Sequence, residues 1–231
     1  MHKKFLVIEG LDGSGKSTQV NMLRNWLEMK DVSHEYIHFP RTHTPVYGEL
    51  IAKFLRGDLG ENDDVNPYLV ALLFAGDQGD AAELINRWRK DNKFVLVDRY
   101  VYSNIAYQCA KFDNPAEQMN LMNWILRTEF DYFTIPKPDM SLFLNVPLSF
   151  VESRLSQNRQ GTERDYLNGK GDIHEADMRF QVTVRNMYKL IAKREEGLQM
   201  LDCSDDDGNM MKADEIFDKM ITLLKNQKIV D

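Results

Sequence analysis

The stretch Gly10-Leu11-Asp12-Gly13-Ser14-Gly15-Lys16-Ser17-Thr18 constrains this chain more than any other. It follows the short apolar run Phe5-Leu6-Val7-Ile8 and leads into a segment with Val20, Leu23 and Leu27 at helical spacing. The pattern is G-x-x-x-x-G-K-[ST]. Its glycines let successive N–H groups turn inward around phosphate oxygens, the lysine reaches the outer phosphates, and the next hydroxyl can serve a Mg²⁺ ion. A helix starting near Lys16 aims its positive dipole end at the same anion. A glycine-rich turn without a ligand is the plain alternative. The strand before it and the helix after it favour a loop that binds a nucleoside triphosphate through Gly10 to Thr18.

The 231 residues suit one α/β domain spanning 1–231, and 43% hydrophobic with 28% charged residues is a globular balance. A net charge of −7 argues against a nucleic-acid partner, whose phosphates a binding surface would have to neutralise. Cys109 and Cys203 fit no metal or disulfide spacing and read as free thiols in a reducing compartment. The few apolar residues between Lys4 and Glu9 are too short for a signal peptide, and no run reaches the roughly 18 apolar residues of a membrane span. A cytoplasmic protein without a membrane partner is expected.

Short β-rich runs alternate with longer helical stretches, which predicts a parallel sheet with helices on both faces. Strands are expected at Phe5–Glu9, Glu35–Phe39, Phe94–Asp98, Met140–Val146 and Leu198–Asp202, each apolar enough to be buried on both faces. Asn66-Pro67 and Asn114-Pro115 read as helix starts, the second a capping box with Glu117, and Ser149 with Glu152 reads as another. In the helical run from Pro67 to about Lys90, the stretch Gly76-Asp77-Gln78-Gly79-Asp80 predicts a kink or a ligand close to the backbone. The polar, glycine-containing stretch Asn158–Asp177 predicts a mobile lid.

In open α/β sheets ligands collect at the carboxyl ends of strands. The phosphate loop follows the first strand, Phe39-Pro40-Arg41-Thr42 the second, and Asp98-Arg99-Tyr100 the third. Either arginine alone is a plain solvated loop charge; two beside a phosphate loop equip the site for a second phosphorylated ligand. Asp98 is placed to hold Mg²⁺, directly or through water, or else to cap the following helix.

Together, EGLDGSGKSTQ (9–19), FPR (39–41), LLFAGDQ (72–78) and DRYVYSNIAYQ (98–108) resemble the thymidylate kinase family. The resemblance implies a nucleoside monophosphate kinase fold around a five-stranded parallel sheet, with a mobile lid over about 158–177. It implies transfer of the γ-phosphoryl group of ATP to dTMP, giving dTDP for dTTP synthesis, with Mg²⁺, and usually a homodimer. It further implies that Gly10–Thr18 hold the ATP phosphates, that Asp12 lies near the acceptor's sugar, and that Arg41 and Arg99 grip the dTMP phosphate. Phe74 would stack on thymine, Asn104 would meet the base edge, Tyr107 would disfavour a 2′-hydroxyl, and Tyr166 would join the dTMP site. Phe74 and Tyr107 would otherwise read as core aromatics.

Two positions depart from the family pattern. Gln78 stands where the family usually has an arginine, and its amide can pair with thymine's N3–H and O4 if Asn104 or Asp77 locks it; alternatively it faces solvent. Gly13 stands where some members carry an arginine, so the catalytic cations beside Lys16 and Arg99 are expected from Arg154, Arg159 and Arg164. The segment Glu163–Gly169 matches the family lid loosely. His174-Glu175 is no zinc motif, because the residue four after His174 is Met178, and it reads as a helix start. A kinase for another nucleoside monophosphate or a deoxynucleoside is the nearest rival. A guanine-binding switch would need Asn-Lys-x-Asp after a late strand, whereas Pro136-Lys137-Pro138-Asp139 precedes one. A non-catalytic nucleotide-binding module is the remaining alternative.

Overall fold

The computed structural model describes residues 4–157 and 162–231, the side chains of 162–164 excepted. Strand β1 (Phe5–Gly10) is buried along its whole length and forms the middle of a five-stranded sheet. The others are β2 (His34–His38), β3 (Phe94–Asp98), β4 (Met140–Asn145) and β5 (Leu198–Asp202), in the order β2-β3-β1-β4-β5. Every pairing is parallel, with Leu6 opposite both Leu96 and Met140. This is the expected fold class, a parallel sheet flanked by helices. The expected strand ends shift by a residue: β1 continues through Gly10, β2 stops before Phe39, and β4 stops before Val146. Full burial holds for β1, β3 and β4, but β2 and β5 are the sheet edges and are partly exposed. Asp139, in the Pro-Lys-Pro-Asp segment, accepts the backbone N–H groups of Lys4 and Phe5, both at 2.9 Å, and so anchors the start of β1.

Helices α1 (Lys16–Met29), α2 (Tyr47–Leu55), α3 (Pro67–Lys90), α4 (Val101–Cys109), α5 (Pro115–Arg127), α6 (Leu148–Leu155), α7 (Met178–Arg194) and α8 (Ala213–Asn226) supply the covering layers. Leu23 and Leu27 of α1, Ile85 of α3 and Ile191 of α7 are fully buried in the main core around the sheet. Ile51, Phe54, Leu55 and Val70 form a second, smaller cluster between α2 and α3, against which Phe74 and Tyr166 pack.

Several local expectations are corrected. Helix α3 runs unbroken for 24 residues through Gly76 and Gly79. Its glycines serve close packing: a Cβ at Gly76 would lie 2.2 Å from the Tyr47 ring, and one at Gly79 would lie 2.6 Å from the Phe133 ring. Asn66 and Asn114 do cap, each accepting from the second helical residue, Tyr68 and Ala116; Asn114 therefore does not make the Glu117-type box, which needs the third. Pro147, with its fixed φ, turns the chain into α6 one residue before Leu148, so Ser149 already lies inside the first turn and caps nothing. His174-Glu175 precedes the helix it was expected to start, since Asp177 caps α7 by accepting from the Arg179 N–H.

Candidate active site

The phosphate loop bridges β1 and α1. Gly13 and Gly15 take left-handed backbone (φ 72° and 82°), where a side chain would be strained, and this turns the loop around the helix N-terminus. Lys16 is buried and lies back across the loop, its Nζ donating to the carbonyls of Gly10 (3.3 Å) and Leu11 (2.9 Å). Burial, with Arg99 nearby, lowers its pKa to about 8. An incoming phosphate favours the charged form and opposes that shift. Ser17 and Thr18 are exposed at the mouth of a cleft of about 870 Å³.

The adjoining wall is built by the turn after β3. Arg99 takes left-handed backbone (φ 66°), which costs an L residue about 1–2 kcal/mol. The turn is held from below. Arg99 donates its N–H to Ile8 (3.0 Å), and buried Glu9 accepts from the Tyr100 and Ser103 N–H groups, the Ser103 hydroxyl and the Tyr188 hydroxyl. Glu9 thereby takes the amide of Tyr100, just before α4, and that of Ser103 in its first turn, and Asp98 makes no cap bond to that helix. Asp98 instead pairs with His38 at 3.4 Å, and its Oδ1 is buried without a hydrogen-bond partner; the residue lines the same cleft as Ser17.

Arg99 also donates to Asp12 at 2.6 Å, and the Tyr107 hydroxyl donates to the other Asp12 oxygen at 2.8 Å. Burial alone would raise the Asp12 pKa, but Arg99, Lys16 and the Tyr107 hydroxyl hold it well below the usual carboxylate range. On the opposite side, after the cis Phe39–Pro40 bond, Arg41 binds Asp77 through Nε (2.9 Å) and Asp80 through Nη2 (2.7 Å). Two arginines and a lysine thus converge on one cleft, each braced by carboxylates or carbonyls.

Deeper in, Phe74, Gln78, Asn104 and Tyr107 line the same cleft. Gln78 is 2% exposed with its Oε1 unpartnered, so it does not face solvent. Neither expected lock holds it. Asp77 spends both oxygens on Arg41, and the Asn104 Nδ2 donates to Ala71 O and Glu129. Gln108, which the sequence reading passed over, also lines this end; it is fully buried and both its amide atoms lack partners. The only available signal was its position one residue after Tyr107.

Of the expected lid, Arg159 and the side chain of Arg164 lie outside the described residues. Residues Thr162–Leu167 form a 3₁₀ turn. Tyr166 lines the cleft, its hydroxyl donates to Asp172 (2.7 Å), and its carbonyl accepts from Arg56 (2.6 Å); Ile173 N–H bonds Leu55 O (3.0 Å). This half of the segment is therefore bonded to α2 and the residue after it. Asp172, its pKa raised by burial and by Asp12, and His174, its pKa lowered by burial to about 3, complete that wall; from sequence His174 was read only as part of a helix start, and neither residue was given a place in the site. Arg154 is exposed on α6 and abuts the phosphate loop, where a Cβ at Gly13 would lie 3.2 Å from its own Cβ.

Comparisons with known proteins agree with one another. A sequence-family model described as thymidylate kinase matches residues 8–213. The thymidylate kinase of Mycobacterium tuberculosis is 31% identical over 187 residues, 81% of this chain and 85% of its own length. A probable thymidylate kinase 1 of Saccharolobus solfataricus is 32% identical over 210 residues, 91% and 94% of the two chains. Among solved structures, thymidylate kinase from Candida albicans aligns with a TM-score of 0.72 at 25% identity, covering 99% of this chain and 93% of that one. With the family model running from Ile8 in β1 through the phosphate loop, both arginine turns and the other four strands, the chain belongs to the thymidylate kinase family, which transfers the γ-phosphoryl group of ATP to dTMP to give dTDP.

Proposed function

We propose that this chain, acting as one kinase domain, performs the transfer in the cleft at the carboxyl ends of β1, β2 and β3. The observation that carries the assignment is the cleft's division of labour. Cations and a glycine-turned loop form one end, and an aromatic with three amides forms the other. In this reading Gly10–Thr18 hold the ATP phosphates and Lys16 neutralises the outer ones. The exposed Ser17 hydroxyl and the orphaned Asp98 Oδ1 are hard oxygen donors of the kind Mg²⁺ takes, and would hold it. Bound there, the ion offsets phosphate charge. Arg41 and Arg99 take the dTMP phosphate, Phe74 stacks on the base, and Gln78, Asn104 and Gln108 meet its edge. Tyr107, Asp12 and Tyr166 border the sugar side. No general base is needed, because the acceptor is already an ionised phosphate.

Phosphoryl transfer rests on positioning and charge stabilisation, and Gly13 brings no cation of its own to the loop. Arg159 or Arg164 supplies it from the lid over 158–177, with Arg154 beside the loop as the third cation. A homodimer is proposed across the outer face of α3, where Leu69 and Leu72, nearly one turn apart, are 61% and 39% exposed. The compartment proposed is the cytoplasm, in keeping with two buried free cysteines. No helix among the described residues is long and apolar enough to cross a membrane. The test of the catalytic scheme is Arg159→Ala, Arg164→Ala and the double mutant, assayed by ADP release with ATP and dTMP. The expected result is a kcat at least about tenfold lower in one single mutant and in the double, with the KM for dTMP little changed. Full kcat in the double mutant overturns the lid's role.

A further inference from the structure

Three amide side chains line the base end of the cleft, and they differ in one respect. Gln78 Oε1 and both amide atoms of Gln108 lack hydrogen-bond partners. Asn104, on α4, is held: its Nδ2 donates to the Ala71 carbonyl of α3 at 3.0 Å and to Glu129 Oε1 at 2.7 Å. An NH₂ group has two protons, and both are used. The atom left over is Oδ1, which is buried and without a partner.

We infer that Glu129 is a positioning residue for base choice: it fixes the Asn104 amide so that an obligate acceptor faces the base. The inference rests on the reading above, in which Phe74 stacks on the base of dTMP and Asn104 meets its edge. A free amide can turn over and serve a donor or an acceptor equally well; a fixed one cannot. Thymine carries an N3–H donor for Asn104 Oδ1, whereas cytosine carries a bare ring nitrogen at that position. A buried acceptor set against another acceptor leaves both unpaired, and mismatches of this kind give large selectivity.

Glu129 suits the task by its place in the fold. It sits on a single π-helical turn (Thr128–Tyr132) directly after α5, fully buried, and does not line the cleft itself. Its own backbone carbonyl accepts from Ile135 at 3.1 Å, which pins the turn. Burial pushes its carboxyl up to about 8, and a protonated carboxyl still accepts through its carbonyl oxygen. The bond to Asn104 Nδ2 is therefore available in either protonation state.

The test measures kcat/KM for dTMP and for dCMP, with ATP, in wild type, Glu129→Met, Glu129→Gln, Glu129→Asp, Asn104→Ala and Asn104→Ala with Glu129→Met. Glu129→Met is expected to lower the dTMP-to-dCMP ratio about tenfold or more with the KM for ATP unchanged. Glu129→Gln, which keeps an accepting oxygen, is expected to stay within about threefold of wild type. Glu129→Asp withdraws the acceptor by one methylene and should lower the ratio in the same direction, which keeps the test open if the methionine variant does not fold. In the Asn104→Ala background, Glu129→Met should change the ratio by less than about twofold, because the residue it positions is gone. Equal losses for both substrates in the Met and Asp variants would make Glu129 purely structural and overturn the inference. An unchanged ratio in Asn104→Ala would instead overturn the placement of the base against Asn104, and the inference with it.

Discussion

Lys16 holds its charge in a place that disfavours it. Burial and Arg99 bring its pKa from 10.5 to about 8, so the folded chain binds that proton less tightly than the unfolded chain. The opposition to folding is full below about pH 8 and is relieved as pH rises from about 8 to 10.5. Thermal unfolding of wild type and Lys16→Met across that window should show wild type gaining stability relative to the mutant. A constant difference would place the lysine's proton elsewhere. Lys16→Ala should keep its fold and lose at least about a hundredfold in kcat at saturating ATP and dTMP, as removal of an oxyanion-type donor does; a loss under tenfold would remove Lys16 from the chemistry. Gln78, buried with an orphaned Oε1, belongs to the same scale. Gln78→Ala should weaken the preference for dTMP over dCMP while leaving ATP affinity intact, and Gln78→Arg should keep dTMP activity. The same ratio in Gln78→Ala as in wild type would leave Gln78 no part in reading the base.

At the scale of elements, the structure depends on backbones that approach one another closely. In the first turn of α2, a Cβ at Gly48 would lie 2.2 Å from the Arg41 carbonyl oxygen and 2.6 Å from the Thr44 hydroxyl. The Thr44 hydroxyl can rotate away, but the carbonyl cannot step aside without moving the loop that carries Arg41. Gly48→Ala should therefore destabilise by about 1–3 kcal/mol, more than offsetting the modest gain in helix propensity. It should also raise the KM for dTMP more than that for ATP. Urea unfolding and steady-state kinetics check both effects, and a neutral mutant would mean the loop yields freely. The sequence announced the asparagine caps of α3 and α5, because a cap is a local hydrogen bond between near neighbours. At Gly76 and Gly79 low helix propensity suggested a kink or a ligand close to the backbone; the helix is unbroken there, and what those glycines accommodate are the rings of Tyr47 and Phe133, distant in sequence.

For the whole molecule, the exposed face of α3 is where a second copy is expected. Replacing both Leu69 and Leu72 by Glu should convert a dimer to a monomer in sedimentation velocity without loss of helical content. An unchanged mass would move the interface elsewhere.

The sequence by itself determined the parallel sheet, since apolar strands alternating with helices have few other ways to bury their faces. It also determined the phosphate loop and the two arginine turns, because a short motif with fixed spacing carries its geometry within a few residues. Only the tertiary structure decided which polar groups are paired and which remain open. Glu9 is taken up beneath the Arg99 turn and Asp77 by Arg41, while Gln108 and the Asp98 Oδ1 are left without partners. Pairing depends on residues such as Glu9 and Tyr188, 179 positions apart, meeting in a core where water cannot substitute for a missing partner.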